Sequence, residues 1–173
     1  MAKYDFFTCW QFKAPIEDVY RAISRPVGWP QWWKGLQQVE ALGSGSEQGK
    51  GLGNEQAGSR EYRYHWQSPL GYSLCFDIRV MRLYAPWLIV GEARGDVEGW
   101  GCWQLSETAG VTRVRYRWRV RTTQPWMNLV APLARPLFVW SHDVMMRNGA
   151  LGLSRLLQAP LLERGRLPGD SLR

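Results

Sequence analysis

Histidine and cysteine are scarce in this 173-residue chain, which has two of the first and three of the second. His65 and His142 stand far apart, and no C-x-x-C or paired-histidine spacing occurs. A zinc site built from such side chains is not expected, so no metal and no cofactor are assigned. Cys9, Cys75 and Cys102 are odd in number and sit in strand-like segments, which suits reduced thiols better than a disulfide framework. Long apolar runs are missing too: nothing reaches the ~18 consecutive apolar residues of a membrane helix. The start "MAKYDFFTCWQFKAP" interrupts its apolar part with charges and has no small-residue cleavage site. The expectation is a cytoplasmic protein with no membrane span.

Acidic residues are outnumbered, 15 against 22 basic ones, for a formal net charge of +7. Five of those charges lie in "RVRYRWRVR", where Arg113, Arg115, Arg117, Arg119 and Arg121 alternate with Val114, Tyr116, Trp118 and Val120. A nucleic-acid surface needs guanidinium groups and stacking rings on one side. Alternation in a strand sends them to opposite sides. The arginines are therefore assigned to an outer face, and Tyr116 and Trp118 to an inner one. Binding of nucleic acid or an anionic surface through the arginine face is kept only as a third reading.

Tryptophan is abundant, with eleven residues. Each buried indole removes about 150–250 Å² from water, so these rings either fill a core or line an aromatic cavity. The first strand is read at 4–13, with Tyr4, Phe6, Thr8, Trp10 and Phe12 on one side. A short helix follows in "APIEDVYRAIS", and a second, anchored by Trp29, Trp32 and Trp33, in "RPVGWPQWWKG". Strands are expected near 36–42, 60–67, 71–84, 86–95, 97–107 and 111–123, separated by short turn signals. Between the first two of these lies a Gly/Ser-rich stretch, 43–59. It lacks the following helix and the Gly-Lys-Ser/Thr ending of a phosphate-cradling loop. A helix of roughly 34 Å is expected from Pro136 to Gln158, with Phe138, His142, Met145, Met146, Gly149, Ala150 and Leu153 on its apolar arc. Trp140 and Leu151 fall off that arc, which suggests a second contact surface.

This order of elements, together with "APIEDVYRAIS", "VGWPQWWKGL", "GEARGDVEGWGCWQL", "TRVRYRW" and "GALGLSRLL", resembles the START-like, or SRPBCC, helix-grip superfamily in its polyketide cyclase/dehydrase branch, over residues 3–158. The resemblance implies an α+β fold: a curved seven-stranded antiparallel sheet wrapped around a long C-terminal helix, with two short helices after the first strand. Residues 1–158 would form a single ligand-binding domain and 159–173 a frayed tail. It also implies a deep cavity for a hydrophobic small molecule. The fold serves carriers and enzymes alike and does not choose between them.

The inward alternates then name the candidate lining: Phe6, Trp10, Tyr64, Trp66, Phe76, Ile78, Tyr116 and Trp118 from the sheet, facing Phe138, His142 and Met146 from the helix. So many aromatics favour a ring-containing ligand in a carrier or binding protein. The alternative is a polyketide cyclase/dehydratase-like enzyme with His142 as acid/base, since an imidazole in an apolar wall exchanges protons near neutral pH. "SHD" at 141–143 is no triad, because successive helical residues point about 100° apart. On the face of Gly99, Gly101, Trp103 and Leu105, the missing side chains leave room either for a ligand or for close approach of the helix, and the helix is the favoured expectation. Glu92 and Arg94 share a strand face, and exposing two charges costs less than burying them. Cys9, Cys75, Cys102 and Phe7 fall on outward alternates, which leaves room for a homodimer contact there.

Overall fold

A computed structural model describes residues 2–43 and 60–165. Along them run β1 (Lys3–Phe12), α1 (Ile16–Ile23), a 3₁₀ turn (Pro26–Gln31), β2 (Leu36–Ala41), β3 (Glu61–Gln67) and β4 (Ser73–Tyr84). There follow β5 (Leu88–Gly95), β6 (Val97–Thr108), β7 (Val111–Thr122), α2 (Pro125–Leu157) and β8 (Leu161–Gly165). The Gly/Ser-rich stretch and its loop reading lie outside the described residues, apart from its first position.

All eight strands form one antiparallel sheet in the order β2-β3-β4-β5-β6-β7-β1-β8. Period-two alternation decides which side chains face α2. On β1, Tyr4, Phe6, Trp10 and Phe12 are buried while Lys3 and Asp5 are exposed. In β4 a register shift between Val80 and Arg82 resets the alternation. Leu83 therefore joins Leu74, Phe76, Ile78 and Val80 on the inner side, and Arg82 stays out. This is the helix-grip arrangement.

The short helical elements close one end of the layer. α1 buries Ile16, Val19 and Ile23. The Ile16 backbone N–H donates to the Glu107 carboxylate at 2.8 Å, so one free donor of the helix start is met by an anion at its positive pole. Behind α1, the 3₁₀ turn brings Trp29 and Trp33 into a cluster with Trp10, Trp66 and Trp103, ring centroids 5.1–6.3 Å apart. α2 meets this cluster through small residues. A β-carbon on Gly149 would overlap the Trp33 indole, and one on Gly152 would overlap the Trp32 carbonyl. The Trp33 indole N–H donates to the Met145 carbonyl at 2.8 Å, satisfying the one polar group of a ring that is 2% exposed.

Two expectations need correction. α2 begins at Pro125, not Pro136, and carries Pro132 and Pro136 inside it. Each internal proline forfeits one helical hydrogen bond, a cost of roughly 3 kcal/mol in an interior. The helix nevertheless continues, because Met127, Ala131 and Phe138 bury its inner side and the prolines sit on its exposed side. Its 33 residues span about 50 Å. The second correction concerns the tail. Leu161–Gly165 pairs antiparallel with β1 as an eighth strand, with Lys13 N–H bonded to the Pro160 carbonyl at 3.1 Å beside it. β1 would otherwise have been an edge, and pairing satisfies its backbone donors and acceptors.

Candidate functional site

Between the inner face of the sheet and α2 lies a cavity of about 160 Å³ with walls that are mostly apolar. Of the eleven residues proposed from sequence, the structure places ten on its wall: Phe6, Tyr64, Trp66, Phe76, Ile78, Tyr116, Trp118, Phe138, His142 and Met146. Trp10 is the exception. It points inward, but its ring is only 2% exposed and is surrounded by Phe12, Trp33 and Trp103 in the tryptophan cluster. Alternation tells which face a side chain takes, not how far along that face the hollow reaches.

The wall also holds residues outside the sequence-derived set, among them Tyr4, Tyr72, Trp29, Trp33 and Trp103. Tyr4 shares the parity of Phe6, and Tyr72 that of Phe76 within the strand expected at 71–84, so both signals were present, although in the structure Tyr72 lies one residue before β4. The face of Gly99, Gly101, Trp103 and Leu105 does not admit the helix as expected. Gly101 lies opposite Trp118 on β7, and a β-carbon there would come within 2.7 Å of the Trp118 ring and 3.1 Å of the Tyr116 hydroxyl. Its missing side chain makes room for those rings, and Trp103 stacks on Tyr116 at 4.0 Å. The result is a ladder of aromatic planes along the wall.

The polar groups of the cavity are few. Tyr4, Phe6 and His142 form a file: Tyr4 stacks on Phe6 at 5.6 Å, and Phe6 on His142 at 3.8 Å with planes 7° apart. Tyr4 is 6% exposed, and its buried hydroxyl finds no hydrogen-bond partner among the described residues. Burial pushes the phenols of Tyr4, Tyr64 and Tyr116 up from their ordinary value, most strongly for the last two, so all three keep their protons at neutral pH. They can donate to a guest. His142 Nδ1 lies 3.8 Å from the Asp143 carboxylate, too far for a hydrogen bond, and Asp143 is half exposed. Ser141 is committed elsewhere, its hydroxyl 2.8 Å from that of buried Ser68, which ties the β3–β4 turn to α2. A buried serine held this way has no free base beside it for nucleophilic attack.

The opposite face of the sheet carries the charges. Arg117 makes a two-pronged contact with Asp5 at 2.8 and 3.1 Å, Arg119 reaches the same carboxylate at 3.3 Å, and Arg121 pairs with Glu98 at 2.7 Å. Arg117's hydrogen bonds, above all, hold the Asp5 carboxyl below its usual range. Glu92 and Arg94 pair with each other on this outer side at 3.1 Å, in solvent. None of the three cysteines is in a disulfide among the described residues; Cys9 is buried and the other two are half-buried. Burial raises the Cys75 and Cys102 thiols.

No protein-family profile matches the chain, and no curated protein matches its sequence. Solved structures do match. The Zhui aromatase/cyclase from a Streptomyces species is similar at 14% identity and a TM-score of 0.71, over 91% of this chain and 94% of that one. A START superfamily protein from Mycobacterium smegmatis aligns at 14% identity and a TM-score of 0.66, over 89% and 97%. The di-domain ARO/CYC BexL aligns at 13% and 0.62, over 91% of this chain and 51% of that one. At such identities the likeness establishes the fold alone. The chain has a START-like helix-grip fold.

Proposed function

We propose that this protein binds a hydrophobic, ring-containing small molecule in the cavity between the sheet and α2, as a carrier or binding protein. The observation that carries this reading is the wall itself: stacked aromatic planes around an apolar hollow, interrupted by a few phenols and one imidazole. Apolar walls with sparse, placed polar groups are the usual make-up of small-molecule sites. Aromatic planes favour a flat guest, and apolar cavities of roughly 150 Å³ are known to admit a single benzene ring. The Tyr4 hydroxyl, without a partner among the described residues, adds a requirement. The guest should carry a hydrogen-bond acceptor, such as a carbonyl or ring oxygen, that relieves this buried donor.

Native mass spectrometry of protein purified from its own host, compared with the denatured mass, tests the reading directly. A stoichiometric aromatic compound released on denaturation is the expected result. Failure to retain any compound, together with no quenching of tryptophan fluorescence across a panel of one- to three-ring phenols and ketones, would reject it.

One observation favours a second reading. His142 stands in the cavity wall, stacked on Phe6 and two rings from the Tyr4 phenol. In a cyclase/dehydratase-like enzyme the imidazole would accept a proton from an activated carbon of the guest and return it to a departing oxygen, with the walls orienting the chain. His142→Gln would then abolish turnover while leaving binding of the guest in place; unchanged turnover removes His142 from the chemistry. The arginine face gains no comparable support, because Arg117, Arg119 and Arg121 are already paired with carboxylates.

A further inference from the structure

The first half of α2 presents an outer face unlike the rest of the molecule. Ten of its residues from Pro125 to Trp140 are exposed, and Arg135 is the one charged side chain among them. Trp126, Leu133 and Trp140 recur every seven residues, 44%, 91% and 50% exposed. Val130 and Leu137 repeat the same interval at 38% and 53%, and Leu129 is 81% exposed. Together these six side chains leave roughly 700 Å² of apolar surface in water, judged against the ~150–250 Å² of a large side chain. Monomeric proteins seldom expose more than about 300–600 Å² in one patch. The inner face of the same segment, Met127, Ala131 and Phe138, is already spent on the core.

The row has a symmetry that names its occupant. Trp126 and Trp140 each lie seven residues from Leu133, and Leu129 and Leu137 each lie four from it. An identical helix laid antiparallel across Leu133 sets Trp126 against the partner's Trp140, Leu129 against the partner's Leu137, and Leu133 against itself. A seven-residue apolar repeat is the seam along which two helices pack, and a two-fold contact requires such self-complementarity. Its area is close to the ~800 Å² per partner of a standard stable interface. The stretches outside the described residues, 44–59 and 166–173, hold one and two leucines, fewer large apolar side chains than the row itself presents. A membrane surface fits less well, because helices that lie on bilayers carry lysines and arginines along their flanks. Here the flank has only Arg135.

We infer that two copies of this chain form a homodimer through antiparallel packing of the first halves of their α2 helices, about a two-fold axis near Leu133. The expectation from sequence, a subunit contact on the outer sheet face, moves to the helix. Sedimentation equilibrium at micromolar concentration should return twice the 20.0-kDa chain mass. Leu133→Glu should return the single-chain mass, with unchanged circular dichroism, since Leu133 supports no core contact. Orientation is read by cross-linking. A mixture of Trp126→Cys and Trp140→Cys proteins should form disulfide-linked pairs faster than either alone. A single-chain mass for the unaltered protein, or a dimer that survives Leu133→Glu, would overturn the proposal. So would a monomer that floats with phosphatidylcholine/phosphatidylserine vesicles and loses this on Leu133→Glu, which would assign the row to a lipid surface.

Discussion

From Gly149 to Leu157, α2 turns Gly149, Ala150, Gly152 and Leu153 inward, and all four are buried, Gly149 beneath the Trp33 indole and Gly152 beneath the Trp32 carbonyl. From Pro125 to His142 it turns Met127, Phe138 and His142 toward a hollow and leaves Leu133 and Trp140 in solvent. The two halves cover the same sheet. They differ in side-chain size: glycines let the Trp32 and Trp33 segment come into contact with the helix backbone, while rings on both sides of the first half meet edge to face with space between them, as Phe138 does with Tyr4 and Tyr72. The solid end fixes the helix on the sheet, and the hollow end can then spend packing energy on a guest. A cavity persists only where neighbouring structure prevents collapse.

The comparison breaks most visibly at the solid end. Gly152→Ala puts a β-carbon onto the Trp32 carbonyl, a backbone atom that cannot swing away. Helix or 3₁₀ turn must move, and urea unfolding should show a loss of about 3 kcal/mol or more. A loss below about 1 kcal/mol would mean the two elements are not locked together. At the hollow end, Phe138→Ala removes a ring that already borders empty space. Its cost should fall to about 2–3 kcal/mol, under the usual 3–5 for such truncations, and the enlarged cavity should accept a guest one ring larger. Equal losses in the two variants would erase the distinction between the ends.

Much of this was legible from residue order. Alternation placed the inner and outer faces correctly for Phe6, Phe76, Tyr116 and Trp118, and for the arginines of β7, because a strand's geometry sorts side chains without knowledge of partners. What failed depended on contacts distant in sequence. Pro132 and Pro136 read as a boundary locally, yet burial of Met127 and Ala131 carries the helix through them. "LLERG" shows no strand alternation; β8 exists because β1 offers it an unpaired edge. Trp10 and Tyr4 exchanged roles for a similar reason. Both point inward from β1, but only the position of the tryptophan cluster decides that Trp10 is core and Tyr4 is wall.

The smallest effect is the most diagnostic of the hollow end. Tyr4 keeps a buried hydroxyl that no described residue satisfies, so Tyr4→Phe removes a desolvated donor without removing a ring. The empty protein should gain about 1 kcal/mol, a sign opposite to that of both truncations above, while affinity for a guest with an acceptor group drops several-fold. Alkaline titration separates this from a simple packing change. Burial raises the Tyr4 phenol above its ordinary value of 10.0. Unfolded chains therefore lose the Tyr4 proton first: the contribution of this group to stability is full below about pH 10 and falls as pH rises further, through the range where only the unfolded phenol has lost its proton. Tyr4→Phe takes one such group away. Its stability should decline less steeply above pH 10 than that of the unaltered protein, with the remaining slope shared by Tyr64 and Tyr116, whose phenols are raised further, and by the raised Cys75 and Cys102 thiols. If the two alkaline limbs superimpose, the Tyr4 hydroxyl reaches water in the empty protein, and the acceptor group assigned to the guest loses its basis.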